Sequence, residues 1–439
     1  MDILERVKKD DVKFVTLQIT DLLGVVKEII IPVEQLEDTL TNGIWFDGSS
    51  IEGFARIQES DLFLEPDIST YSIVPWLTEN GKTSRFICDI YRADGKPFEG
   101  DPRYLLKKIS KFAKKSGYEY NVGPEMEFYL FQKNDATRTL PMDYGSYFDL
   151  SSHTGYRVIK EIITALRSFG INVEASHHEV GEGQYEIDFN YGKALQIADK
   201  LLTLKYTVKK VAQMHNLQAT FMPKPIKGIA GSGMHCHQSI FDVKTKNNLF
   251  YEENDKYRLS ELAYSFVAAQ IKYIKEMSAV LCPTVNSYKR LISGFEAPVY
   301  ITWASMNRSA LIRIPRWFKQ KPQSARIELR CADPTCNPYL AFAVMLQAGL
   351  EGIKNKLKPP SPLEENIFQI DRERIADKKI AMLPTSLWEA LNELKKSNFM
   401  KGALGEHLFD KYIDIKTKEW NEFKSQVTPW EINKYLDIY

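Results

Sequence analysis

Four short stretches of this chain alternate between apolar residues and residues able to do chemistry, and in a strand residues i and i+2 share a face. In Glu125-Met126-Glu127-Phe128-Tyr129-Leu130 the two carboxylates point one way, and Met126, Phe128 and Leu130 the other. In Gln184-Tyr185-Glu186-Ile187-Asp188-Phe189, Glu186 faces away from Tyr185, Ile187 and Phe189. In Met234-His235-Cys236-His237-Gln238-Ser239 the two imidazoles and Ser239 share a side. In Arg326-Ile327-Glu328-Leu329-Arg330 two arginines flank Glu328. Solvated strand faces favour Thr, Lys and mixed polar residues, whereas these four concentrate Glu, His and Arg.

The remaining pattern supplies the scaffold. Residues Val12 to Ile31 predict a β-hairpin turning at Asp21-Leu22-Leu23-Gly24, and Ser84 to Tyr91 a further strand. Trp45 to Glu65, rich in Gly, Ser, Asp and Glu, reads as a long ordered loop. The turn formers between Asp94 and Pro102 mark a domain boundary. Asp101 suits a helix N-cap and Pro102 the first helical position. Leu105, Leu106, Ile109, Phe112 and Ala113 then make one apolar face, and Gly117 ends the helix. Helices are also expected over Ser152 to Phe169, Asp199 to Met214 and Arg258 to Val280. Strands mixed with separate helical stretches predict an α+β fold, with domains at 1–100 and 101–439.

Composition narrows the function by exclusion. A chain of 439 residues is too long for one ordinary core. Its 58 basic and 57 acidic residues leave a net charge of +1, which gives no reason to expect nucleic acid or an anionic membrane as partner. No uncharged apolar run approaches the roughly 20 residues that span a bilayer, and the N-terminus lacks a signal-peptide apolar core. Five cysteines without CxxC spacing favour neither a disulfide framework nor a zinc site, so a reducing, cytoplasmic setting is expected.

Two glutamates at i and i+2 repel unless something positive lies between them. Glu125, Glu127, Glu179, Glu186 and Glu328 with His235 form an oxygen-rich set that suits Mg²⁺ or Mn²⁺ over zinc. Arg308, Arg313, Arg326 and Arg330 supply charge for a transferring phosphoryl group. No Walker-type phosphate loop is present. The residues by themselves therefore predict metal-dependent phosphoryl transfer by another architecture.

Together these segments resemble the glutamine synthetase family, nearly end to end. Phe46-Asp47-Gly48-Ser49-Ser50-Ile51 resembles the family's ammonium-site loop. Gly123-Pro124-Glu125-Met126-Glu127 and His177-His178-Glu179-Val180 resemble its metal segments. Lys224-Pro225 with Gly231-Ser232-Gly233-Met234-His235 is similar to its ATP signature. Asn286-Ser287-Tyr288-Lys289-Arg290-Leu291 and Gly294-Phe295-Glu296-Ala297-Pro298 are similar to the glutamate site and flap. Asn307-Arg308-Ser309 to Arg313-Ile314-Pro315, then Arg326 to Arg330, complete the order.

The resemblance implies an N-terminal β-grasp domain and a catalytic domain with a funnel-shaped strand barrel. It implies ATP-dependent joining of ammonia to glutamate through γ-glutamyl phosphate. Mg²⁺ is the implied cofactor, with Mn²⁺ able to replace it and two or more ions per active site; ATP is co-substrate. Glu127, Glu179 and Glu186 would hold one ion, and Glu125, His235 and Glu328 the other. Glu174, His237, Ser239, Arg313 and Arg326 would contact the nucleotide. Gly231 and Arg290 would bind glutamate, and Arg308 and Arg330 its phosphorylated end. Asp47 of a neighbouring subunit would activate ammonium, and Glu296 would close the site. Twelve subunits in two stacked rings are implied, with Trp430 to Tyr439 reaching the opposite ring, and regulatory proteins are a further class of partner. The alternative within the same superfamily is a γ-glutamyl ligase for a polyamine or other amine; Asp47, Arg290 and Glu296 favour ammonia. Ala230 stands where many relatives carry Asn. Lys378 to Pro384 lacks the tyrosine of adenylylated relatives, while Ile51 to Arg56 resembles the alpha-type subgroup, in which Arg56 takes part in feedback inhibition by glutamine.

Overall fold

The computed structural model describes residues 2–51, 53–54, 60–78, 80–133, 140–150, 152–292, 297–316, 321–365 and 380–439. Within them the strands form two sheets. The first contains β1 (Val12–Thr20), β2 (Val26–Pro32), β3 (Ile44–Asp47), β4 (Asp61–Ile73) and β5 (Lys82–Arg92), in the order β2-β1-β5-β4-β3. β1 and β2 form the expected antiparallel hairpin. Asp21 shapes its turn, its Oδ1 accepting from the amides of Leu23 and Val25, and Gly24 supplies a φ of +82°.

The long loop expected over Trp45 to Glu65 is corrected at both ends. Ile44–Asp47 pairs antiparallel with the start of β4, Trp45 lies opposite Phe63, and their rings sit 5.1 Å apart. The Gly, Ser and Asp content of this stretch describes its middle, where Gly48–Ser50 forms a 3₁₀ turn. An edge strand made by aromatic cross-strand pairing leaves little alternation for sequence to display.

The second sheet contains β6 (Tyr118–Gln132), β7 (Val173–His178), β8 (Gln184–Phe189), β9 (Gly192–Lys193), β10 (Leu217–Thr220), β11 (Met234–Asp242), β12 (Tyr300–Ala304), β13 (Ala310–Arg313) and β14 (Ile327–Leu329). Its path runs β12-β13-β14-β11-β6-β8-β7, with β9 and β10 also paired to β6. Among the described residues this sheet is open, which corrects the funnel-shaped barrel that the resemblance implies. The strands at the β12 end are five, four and three residues long. The two ends of the path, β12 and β7, are not paired with each other, so no ladder of hydrogen bonds closes it.

Three of the helices predicted from apolar spacing are present at His153–Ser168, Ala194–Met214 and Glu261–Leu281. Helix Pro102–Lys115 starts as its sequence dictates, with Asp101 Oδ1 accepting from the Arg103 amide at 2.8 Å. These helices and Pro338–Asn355 bury the apolar face of the second sheet, including Met126, Phe128, Leu130 and Ile187. A smaller core fills the first sheet. Arg103, 3% exposed, ties the two halves together. Its guanidinium reaches Asp67 at 2.7 Å and Asp89 at 2.5 Å in the first sheet, and Asp199 on helix Ala194–Met214 at 3.0 Å. No helix among the described residues is long and apolar enough to cross a membrane.

Candidate active site

The polar faces of β6, β7, β8, β11, β13 and β14 meet because strand register aligns them. Glu127 lies directly opposite Glu186, and Glu186 opposite His177. His235 lies opposite Glu125, while Glu328 faces His237 on one side and Arg313 on the other. Like charges directly opposed in a sheet destabilise it, so the Glu127–Glu186 pairing is costly unless protons or a cation compensate.

Two ligand-sized groups result. In the first, His177, Glu179 and Glu186 bring donor atoms within 4.8 Å of one another. His177 Nε2 lies 3.1 Å from Glu186 Oε1, and its Nδ1 3.8 Å from Glu179 Oε1. Glu127 stands beside them, its Oε2 accepting from the Gly233 amide at 2.8 Å and from Gln184 Nε2 at 3.1 Å. In the second, Glu125, His237 and Glu328 are equally close. Glu125 accepts from both imidazoles, at 3.0 Å from His235 Nδ1 and 2.7 Å from His237 Nε2. His235 also lies 3.8 Å from Glu328 and 4.0 Å from Glu127, so it stands between the groups.

The electrostatics follow from this crowding. Burial, then Asp188, Glu125 and Glu179, push Glu186 up to about 10. Burial and the charges of Glu186 and Glu179 raise Glu127 as well. Burial and Glu125 raise Asp188 to about 7. Glu125 moves the other way, because hydrogen bonds from His235 and His237 outweigh its burial. Glu328, fully buried, is held low against burial first by Arg330, which bonds its Oε1; Arg313 donates to its Oε2 at 2.7 Å. The donor set is chiefly carboxylate oxygen with imidazole, which fits a hard divalent cation such as Mg²⁺ or Mn²⁺.

Two cavities open on either side. One, about 490 Å³, is lined by Glu125, Glu174, Asp188, His237, Ser239 and Arg326. Arg326 Nε donates to His237 Nδ1 at 3.2 Å, which leaves the His237 proton on the nitrogen facing Glu125. The other, about 460 Å³, is lined by Glu127, Glu179, Gly231, His235, Arg290 and Arg330. Arg290 is buried, its guanidinium donating to the carbonyls of Arg330, Cys331 and Ala332. The positions read as nucleotide contacts thus share the first cavity, except Arg313, which is paired with Glu328. Those read as glutamate contacts share the second, except Arg308, which is exposed. Ala230 lines this second cavity too, and its carbonyl accepts from Tyr129 at 2.6 Å.

Asp47 is not brought to these cavities by its own chain. It ends β3, the edge strand of the other sheet, and its carboxylate is bonded by Ser49 and Ser50. Glu296 and Arg56 lie outside the described residues. Three participants were missed as individual positions. His177 stands two residues before Glu179, and Gln184 and Asp188 flank Glu186 on its face of β8; the i, i+2 rule used for Glu125 and Glu127 would have found all three.

Comparison with known proteins defines the class from two directions. The family model for the glutamine synthetase β-grasp domain matches residues 11–93, and that for the glutamine synthetase catalytic domain matches residues 99–435. The chain belongs to the glutamine synthetase family and is an enzyme of that family. It is 49% identical over 441 residues to a glutamine synthetase of Clostridium saccharobutylicum, covering 100% of this chain and 98% of the other. It is 49% identical over 440 residues to one of Methanosarcina mazei, covering 100% and 97%. Among solved structures, a GmaS/ADP complex superposes with a TM-score of 0.89 at 31% identity, covering 99% of each chain. Plasmodium falciparum glutamine synthetase does so with a TM-score of 0.89 at 28% identity, covering 99% and 98%.

Proposed function

We propose that the two polar cavities and the carboxylate wall between them carry out ATP-dependent condensation of L-glutamate with ammonia to L-glutamine, releasing ADP and phosphate. The observation that carries this reading is the division of labour across β6. Glu125 faces a cavity with Glu174, Ser239 and Arg326, while Glu127 faces one with Gly231, Arg290 and Arg330. ATP belongs in the first and glutamate in the second. Glu127, Glu179 and Glu186 would hold one Mg²⁺ or Mn²⁺, and Glu125, His235 and Glu328 another. Bound there, the cations neutralise phosphate charge and draw the two substrates together.

The chain's own groups then act in sequence. Arg290, aimed by three carbonyls, clamps the glutamate α-carboxylate. Arg313 and Arg326 meet the nucleotide phosphates, while Arg308 and Arg330 stabilise charge on the phosphoryl group as the γ-carboxylate takes it from ATP. Ammonium binds by Asp47 of an adjacent subunit and gives that carboxylate a proton; the ammonia so formed attacks the acyl carbon of γ-glutamyl phosphate, forming the C–N bond as the C–O bond to phosphate breaks and phosphate leaves. The hydrogen bonds from Ser49 hold Asp47 low and therefore anionic, as that task needs. Glu296 closes the site against water.

The same reading divides the chain at 1–100 and 101–439 and assembles it as two stacked rings of six in the cytoplasm. Feedback inhibition through Arg56, without adenylylation, completes it. The test is phosphate release from ATP with glutamate and Mg²⁺, with and without ammonium, while following glutamine. Ammonium-dependent phosphate and glutamine in equal amounts support the reading. Phosphate release that responds to putrescine or methylamine and not to ammonium would transfer it to the amine ligases.

A further inference from the structure

A separate cavity of about 500 Å³ lies between the first sheet and the helices that cover the second. Its wall includes Arg85 on β5, Arg167 at the end of helix His153–Ser168 and Lys200 on helix Ala194–Met214. Arg85 is the unusual member. It is 6% exposed, and no carboxylate lies within ion-pair distance of it among the described residues. Its Nη1 donates to Thr203 Oγ1 at 3.0 Å and weakly to Gln18 at 3.4 Å, but its Nε is buried without a partner. Phe169 also lies under its guanidinium, the ring centroid 5.1 Å from Cζ, so the buried charge has only neutral partners and a donor left over, which is expensive.

The acids on this wall are already engaged. Asp199 is held by Arg103 and by Tyr339 Oη at 2.6 Å. Asp10 pairs with Arg6 at 4.0 Å and accepts from Tyr71 at 2.8 Å. Arg85, Arg167 and Lys200 are left as cations with no carboxylate partner among the described residues, and the hydroxyls of Ser72 and Ser168 stand on the same wall. We infer that this cavity is a binding site for a small oxyanion, a phosphate or a dicarboxylate, held by the charge of the Arg85 guanidinium and by the rim charges of Arg167 and Lys200. Such a ligand bridges the two halves of the chain in a cavity lined by none of the residues assigned to catalysis, and therefore stabilises their association.

The assembled full-length protein should be titrated with inorganic phosphate and, separately, with succinate, by calorimetry and thermal unfolding at constant ionic strength. The same titrations should be run on Arg167→Ala and Lys200→Ala, whose side chains sit at the rim and leave the fold intact. Binding with a raised unfolding midpoint, weakened about tenfold or more in each variant, supports the site. The anion that binds identifies the ligand class. If both variants bind as tightly as the unaltered protein, the anion is in the catalytic cavities and the inference falls. It falls equally if neither anion binds at millimolar concentration.

Discussion

Gln184 Nε2 donates to Glu127 Oε2 and to the Gly231 carbonyl, both at 3.1 Å, so one amide joins a candidate cation ligand to the loop that lines the cavity of Arg290. Its Oε1 accepts from the Gly181 amide at 3.0 Å, which leaves the side chain no second orientation. Replacing Gln184 by Leu takes this partner from the Gly231 carbonyl and from the Gly181 amide and leaves Glu127 Oε2 only the Gly233 amide, at a cost of about 1–3 kcal/mol. The KM for glutamate should rise several-fold while the KM for ATP moves little; equal change in both would reduce Gln184 to a packing residue.

Cation binding should be proton-coupled. Glu186, pushed up to about 10, carries its proton at neutral pH, and a cation must expel it. Calorimetric titration with Mn²⁺ in buffers of different ionisation enthalpy should register proton release, and the apparent affinity should climb from pH 6 to pH 9. Glu186→Gln should weaken Mn²⁺ binding, and removal of divalent cations by chelation should abolish glutamine formation until Mg²⁺ or Mn²⁺ is restored.

Asp101 gives a pH signature of folding away from the catalytic residues. It is fully buried, its Oδ2 has no partner, and burial followed by the Asp89 charge raises it from 3.8 to about 7. The folded chain therefore holds a proton that the unfolded chain releases at lower pH. The contribution is complete below about pH 4 and is lost as pH rises through 7. Asp101→Asn keeps an acceptor for the Arg103 amide and removes the titration. The fall in urea-unfolding stability between pH 4 and 7 should be shallower in the variant; an unchanged slope would assign it to other groups.

Asp47 on an edge strand, away from the cavities of its own chain, predicts complementation between subunits. Asp47→Ala and Glu328→Ala chains should each be inactive as pure assemblies. Co-assembled in equal amounts they should recover roughly a quarter of the sites, since each intact site draws one half from each variant. No recovery in mixed assemblies would place Asp47 and the cation wall on one subunit.

Arg103 concentrates the cohesion of the two halves in one guanidinium, with Asp67, Asp89 and Asp199 around it. Arg103→Met leaves Asp67 and Asp199 without their counter-charge and Asp89 with Lys107 alone, and breaking a buried pair in this way costs about 3–5 kcal/mol. Denaturant unfolding should show that loss, with the fluorescence of Trp76, near Tyr206 at the junction of the halves, changing first.

Local chemistry made much of this protein legible in its sequence. The period-2 alternation of β6, β8, β11 and β14 revealed which side chains share a face, because that depends only on backbone pleat. Asp101-Pro102 announced its helix because capping is settled within three residues. Alternation says nothing of which strands become neighbours. That Glu127 meets Glu186, that His237 as well as His235 reaches Glu125, and that His177 joins Glu179 and Glu186 all depend on register between distant segments. The Arg103 tie and the cavity beside Arg85 needed the tertiary structure for the same reason. Their partners come from separate sheets and helices, and the packing of two cores, not any local pattern, brings those groups within a hydrogen bond of one another.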